Sequence, residues 1–264
     1  MASIEVIGVR KEYDTGADRP AFCALDAVSF QVKDGEFVCL LGPSGCGKTT
    51  LLNILSGLDT RYTGRVLFNG KLRAPAEMPA VHIGYIFQEP RLLPWLTVRQ
   101  NLEFVLESEG YPREEWEERV RRYLELVGLW NYRDYYPAQL SGGMAQRVSL
   151  ARAFAVDPDV LLMDEPFSAL DELTARKMRR ELLHIWSRLQ KTVIFVTHNA
   201  YEAVYLADRI FLMTKSPGSI YDEITIPLAR PRRYSDPQIF ALNARIVNDF
   251  LRHNYEETDV SELL

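Results

Sequence analysis

Gly42-Pro43-Ser44-Gly45-Cys46-Gly47-Lys48-Thr49 constrains what this 264-residue chain can fold into more than any other stretch. It fits G-x-x-x-x-G-K-[ST] in full, and it joins an apolar run, Phe37–Leu41, to a helical pattern from Lys48 through Leu55. Glycines let the backbone curl until successive N–H groups face a phosphate. Lys48 adds a mobile cation for terminal phosphates, and the Thr49 hydroxyl suits Mg2+.

Two further stretches extend this chemistry. Val160-Leu161-Leu162-Met163-Asp164-Glu165 is an apolar strand pattern that ends in two carboxylates. Asp164 stands where a second Mg2+ ligand is needed, and Glu165 stands one residue on, where it can polarise an attacking water. Leu140-Ser141-Gly142-Gly143-Met144-Ala145-Gln146 opens a helix with bare backbone N–H groups, a second anion site in one chain.

The rest of the chain alternates in type. Strands are predicted at Ile4–Val9, Ala27–Val32, Phe37–Leu41, Gly64–Phe68, His82–Phe87, Val160–Met163, Thr192–Val196 and Arg209–Met213. Helices are predicted at Thr97–Glu107, Pro112–Val127 with Pro112 in its first turn, Leu173–Leu189, and Pro237–Arg252 behind Ser235-Asp236 as caps. Met178, Leu182, Ile185, Trp186 and Leu189 form a core stripe on the third of these, while Arg176, Lys177, Arg179 and Arg180 read as its solvated face. Alternation of this kind implies an α/β sheet with parallel strands, interrupted by a helical block at about 89–156.

Composition narrows the partners. Net charge is −5 with no long basic block, which argues against general nucleic-acid binding. Three cysteines, Cys23, Cys39 and Cys46, lack metal-type spacing and fit a reducing compartment. The N-terminus has no signal pattern, and no apolar run approaches the roughly 18 residues of a membrane span. A membrane role would therefore come through a partner.

With these motifs in order, the chain resembles the ATP-binding cassette ATPases over nearly its whole length. Leu140–Gln146 matches their signature sequence, Gln88 their glutamine loop, Ser168-Ala169-Leu170-Asp171 their D-loop and His198 their switch histidine. Tyr13 occupies the place of the aromatic that stacks on adenine. The resemblance implies a P-loop sheet core with an N-terminal antiparallel β subdomain and an inserted α-helical subdomain. That would be one domain over 1–253, followed by an acidic, flexible tail at 254–264.

The resemblance also implies the site. Glu165, His198 and Gln88 would be catalytic, and Thr49, Gln88 and Asp164 would hold Mg2+. ATP would be bound by Tyr13, by Gly42, Pro43, Ser44, Gly45, Cys46, Gly47, Lys48, Thr49 and Thr50, and by Ser141, Gly142, Gly143 and Gln146. In the family two cassettes pair head to tail, so that each ATP lies between one P-loop and the other chain's signature. Asn199 departs from the aspartate that often follows the histidine, which puts any role for a carboxylate there in doubt.

Gln88–Leu96, Met144, Glu202-Ala203 and Arg230-Pro231-Arg232 are similar to the nitrate, taurine and alkanesulfonate branch of bacterial importers. That branch implies a second ATPase chain, identical or paralogous, two transmembrane permease subunits and, indirectly, a periplasmic or extracellular solute-binding protein. It places the chain peripherally at the cytoplasmic face of the inner membrane. Leu92, Leu93 and Trp95, stiffened by Pro90 and Pro94, either pack inside the helical block or line a groove for a permease helix. A non-transport cassette ATPase and an exporter ATPase stay open as alternatives at this point.

Overall fold

The computed structural model describes residues 2–14, 16, 20–73, 81–168 and 170–254. Ala169 of the D-loop and the expected tail from 255 onward lie outside the described residues. The chain forms two compact units, Val81–Lys191 and the combination of Ala2–Ala80 with Thr192–Leu264.

The two-segment unit begins with β1 (Ile4–Tyr13), β2 (Phe22–Val32), β3 (Phe37–Leu41), α1 (Lys48–Ser56), β4 (Thr63–Phe68) and β5 (Lys71–Arg73). An antiparallel sheet in the order β2-β1-β4-β5 makes the expected N-terminal β subdomain. Along its N-terminal half, β1 buries Ile4, Val6 and Val9 and leaves the residues between them half-buried, as expected of a sheet with one covered face. Near its end β1 buries Lys11, whose Nζ lies 2.7 Å from Asp59 Oδ2 and donates to the Arg61 carbonyl at 2.6 Å.

Strand β3 lies in a second, mostly parallel sheet. All five of its residues are buried, which explains its unbroken apolar run. Beyond residue 191 the unit continues with β8 (Thr192–Thr197), α6 (Ala200–Leu206), β9 (Arg209–Met213), β10 (Ile220–Thr225) and α7 (Pro237–Asn254). β3 pairs in parallel with β8 and β9, and β10 closes the edge antiparallel to β9. The Asp236 carboxylate accepts the Gln238 N–H at 2.9 Å, so it caps α7 as expected.

Between these segments, Val81–Lys191 holds β6 (Ile83–Ile86), α2 (Val98–Ser108), α3 (Arg113–Leu126), α4 (Gly142–Ala155), β7 (Val160–Asp164) and α5 (Glu172–Leu189). β6 and β7 pair in parallel. Thr97 and Gln100 form a reciprocal capping box on α2, which fixes where the helical block starts.

The structure corrects several expectations. Pro112 is the cap residue of α3, one position before its first turn. Arg179 is only 1% exposed, not solvated; it donates to the Ala175 carbonyl and to Glu172, which screen its charge inside the unit. β5, β10 and α6 were not expected at all. Each is short, and β10 buries only Ile224, so neither periodicity nor length marked it.

Candidate active site

Two glycines shape the phosphate loop from below. Gly47 caps α1 at φ +92°, and a Cβ there would stand 2.7 Å from both the Ala24 carbonyl oxygen and Leu25 Cδ2. Gly218, in the turn between β9 and β10, lies under the loop so tightly that a Cβ would come 1.9 Å from the Cys46 carbonyl oxygen. Its backbone bonds to the Ala24 carbonyl and the Asp26 N–H hold it there. No motif flagged Gly218.

On the loop itself Lys48 is buried, and its ammonium donates to the Gly42 carbonyl at 2.8 Å and the Pro43 carbonyl at 2.9 Å. Ser44, Gly45 and Thr49 are exposed. The Tyr13 ring is partly exposed; its hydroxyl lies 3.4 Å from Thr50 Oγ1 and 3.5 Å from Asp59 Oδ2. The expected adenine platform thus stands beside the first turn of α1.

His198 is exposed immediately after β8. The turn that carries it is held by side chains. Thr197 Oγ1 donates to Glu202 Oε2 at 2.7 Å and accepts the Asn199 N–H at 3.0 Å. Asn199 Oδ1 in turn accepts the N–H groups of Tyr201 and Glu202 and so caps α6. A cap requires an oxygen and no charge, so asparagine serves at this position. An Asn-x-x-Glu spacing is the sequence signal that could have revealed this cap.

At the far end of α6, the buried Arg232 guanidinium donates to the carbonyls of Val204, Tyr205 and Ala207, and burial pushes its pKa down to about 10. Arg230 bonds the Leu206 carbonyl and Asp208, whose other oxygen accepts the Phe37 N–H at the start of β3. Arg230-Pro231-Arg232 is therefore a clamp on α6 and β3.

In the other unit, Asp164 is buried at the end of β7 and Glu165 follows half-buried at φ +42°, a left-handed conformation that costs a non-glycine residue about 1–3 kcal/mol. Gln88 is exposed, and its Nε2 donates to Ser168 Oγ at 3.3 Å. Ser168 Oγ then donates to the Glu165 carbonyl at 3.0 Å, so a D-loop hydroxyl links the glutamine to the acidic pair. Burial pushes the Tyr85 hydroxyl's pKa up, helped by the Asp164 charge and opposed by Arg91. Asp171 caps α5 through the Thr174 N–H at 3.0 Å, and its bonds with Thr174 hold its carboxyl below the usual range.

Ser141 caps α4 by accepting the Met144 N–H at 3.3 Å, leaving Ser141 and Gly142 exposed and Gly143 half-buried. Gln146 lies deeper than these three residues. It is 3% exposed, with no hydrogen-bond partner for Nε2 among the described residues. Further along α4, Arg152 donates to the carbonyls of Pro90 and Arg91, and buried Asn101 donates to those of Leu93, Leu96 and Thr97. These bonds hold the segment after Gln88 in a fixed path that leaves Trp95 69% exposed and Leu92 and Leu93 half-buried.

The oxygen donors expected to hold Mg2+ suit a hard cation: the Thr49 hydroxyl, the Asp164 carboxylate and the Gln88 amide. Because Gln88 Nε2 is engaged by Ser168, its Oε1 is the atom left to serve as a ligand.

Comparison with known proteins settles the class. The family model for ABC transporters matches residues 25–168. An uncharacterized ABC transporter ATP-binding protein of Methanocaldococcus jannaschii is 46% identical over 225 residues, 85% of this chain and 83% of that protein. An aliphatic sulfonates import ATP-binding protein of Burkholderia cenocepacia is 44% identical, covering 86% of this chain and 82% of the relative. The nitrate import ATP-binding protein of a Synechocystis species is 40% identical, covering 91% and 93%. Among solved structures, a dimeric post-hydrolysis state of an ATP-binding cassette bound to ADP and phosphate aligns with TM-score 0.74 at 32% identity, over 86% of this chain and all of that one. The chain belongs to the ABC transporter family, with the mixed α/β cassette fold and the ATPase activity, coupled to transport, that define it.

Proposed function

We propose that this chain pairs head to tail with a second cassette, identical or paralogous, and drives a membrane importer of nitrate-, taurine- or sulfonate-type solutes. The observation that carries the pairing is the start of α4. Ser141 and Gly142 are exposed at the helix start, where backbone N–H groups have no partner within the helix, while Leu140–Gln146 contains neither a lysine nor a carboxylate. Such a helix start suits a phosphate but brings no side-chain cation or metal ligand of its own, as expected of one half of a shared site. ATP is then held by Tyr13, Thr50 and the loop 42–49 of one chain and by residues 141–143 of the other.

Within that site Glu165 polarises the attacking water and His198 contacts the γ-phosphate. Gln88 reports phosphate occupancy to the segment behind it. When bound, Mg2+ would neutralise phosphate charge, held by Thr49, Gln88 and Asp164. Replacing Glu165 by Gln keeps the side-chain shape and removes the base. Glu165→Gln should lower ATP turnover by more than about a hundredfold while leaving ATP affinity intact and letting ATP double the mass seen by light scattering. Near-normal hydrolysis, or a monomer at saturating ATP, would sink the assignment.

The importer reading rests on the sulfonate and nitrate import relatives and on Trp95. An exposed tryptophan beside half-buried Leu92 and Leu93, on a path fixed by Asn101 and Arg152, suits a short apolar helix of a permease subunit. The chain would then sit at the cytoplasmic face of the inner membrane, served indirectly by a solute-binding protein. Isolation from membranes tests this. A polytopic membrane protein should co-purify and be lost with Trp95→Glu; a ribosomal or DNA partner instead would overturn it.

A further inference from the structure

We propose that Glu202 is a positioning residue for ATP hydrolysis, acting through the turn 197–199 on His198. It rests on the reading of His198 as a phosphate contact. Glu202 is 7% exposed and stands in the first turn of α6, where its carboxylate accepts a hydrogen bond from the Thr197 hydroxyl at 2.7 Å. That same Oγ1 accepts the Asn199 N–H, so one carboxylate orders the hydroxyl that orders the peptide after His198. A capping-box glutamate would reach back to its own cap N–H; here the Thr197 hydroxyl is interposed, and the bond reaches the end of β8.

Thr197 also faces the phosphate loop. It is the register partner of Leu41, and its carbonyl accepts the Gly42 N–H at 3.5 Å. The Glu202 charge also acts on the buried Cys39 thiol of β3. Its pKa is raised by burial and then by the Glu202 charge, with Lys48 opposing. Glu202 therefore fixes the histidine turn against the strand that feeds the loop. Misplacing a contacting group by about 1 Å can slow chemistry by up to about a hundredfold without changing ground-state binding.

Turnover and equilibrium ATP binding are measured for the full chain, for Glu202→Ala, Glu202→Gln and His198→Ala, and for the double alanine variant. Glu202→Ala should lower kcat by about tenfold or more with the ATP dissociation constant within about twofold of the parent. Glu202→Gln, which keeps an oxygen for the Thr197 hydroxyl, should recover most of that loss. In the His198→Ala background, Glu202→Ala should slow turnover by no more than about twofold further. Parental kcat in Glu202→Ala, or the same tenfold loss in both backgrounds, overturns the proposal. Parental kcat in His198→Ala overturns instead the reading of the histidine on which it rests.

Discussion

A methyl group on residue 47 would have to displace both the Ala24 carbonyl and the Leu25 side chain, and it would sit on a backbone at φ +92°. Gly47→Ala should therefore cost roughly 2–4 kcal/mol and remove measurable ATP binding, read by urea unfolding and nucleotide titration. A second residue-scale effect is electrostatic. Burial of Asp59 raises its pKa, but the Lys11 ammonium and the Arg61 N–H outweigh it, and the net shift is downward. As pH falls, the unfolded carboxyl takes up its proton before the folded one does. The stabilisation is thus complete at neutral pH and drains away below about pH 4. The difference in Tm between the parent and Asp59→Asn should be present at pH 7 and shrink with acidification; a constant difference would refute the linkage. Glycine and lysine of the loop were legible in the sequence because spacing alone specifies them. The burial of Arg179 was not, because burial of a polar side chain depends on what the fold packs against it.

Elements are secured at their ends, and α6 shows how. Asn199 closes its start, and Arg232 alone serves three carbonyls at its finish. Arg232→Ala would leave those acceptors buried without their donor, at a cost of about 2–4 kcal/mol, and should lower Tm by roughly 5–10 °C. Lysine should restore only part, since one ammonium cannot reproduce the guanidinium fork. A melt unchanged by Arg232→Ala would show that the clamp is decorative. Strands β3, β7 and β8 were legible as unbroken apolar runs, and α5 from its stripe. α6 was not, because seven residues give too little periodicity and its stabilising arginine comes much later in the chain.

For the whole molecule, the phosphate loop and the signature helix belong to different compact units of one chain. The order of motifs made the family legible, whereas the boundaries of the units, Val81 and Lys191, follow from which residues touch in three dimensions and have no marker in the sequence. Among the described residues no helix is long and apolar enough to cross a membrane. Ser141→Arg tests the pairing at this scale. It should leave ATP binding to the monomer nearly intact, within about threefold, and abolish both the ATP-dependent mass increase and hydrolysis. Dimer formation by Ser141→Arg would place the signature elsewhere. The close approach of Gly218 to Cys46 has a genetic consequence. In a saturation screen that selects for retained transport, residue 218 should be as intolerant as the phosphate loop itself, with even alanine depleted, although no motif search would mark it. A hairpin glycine near the end of the chain would thus share the mutational profile of a catalytic loop.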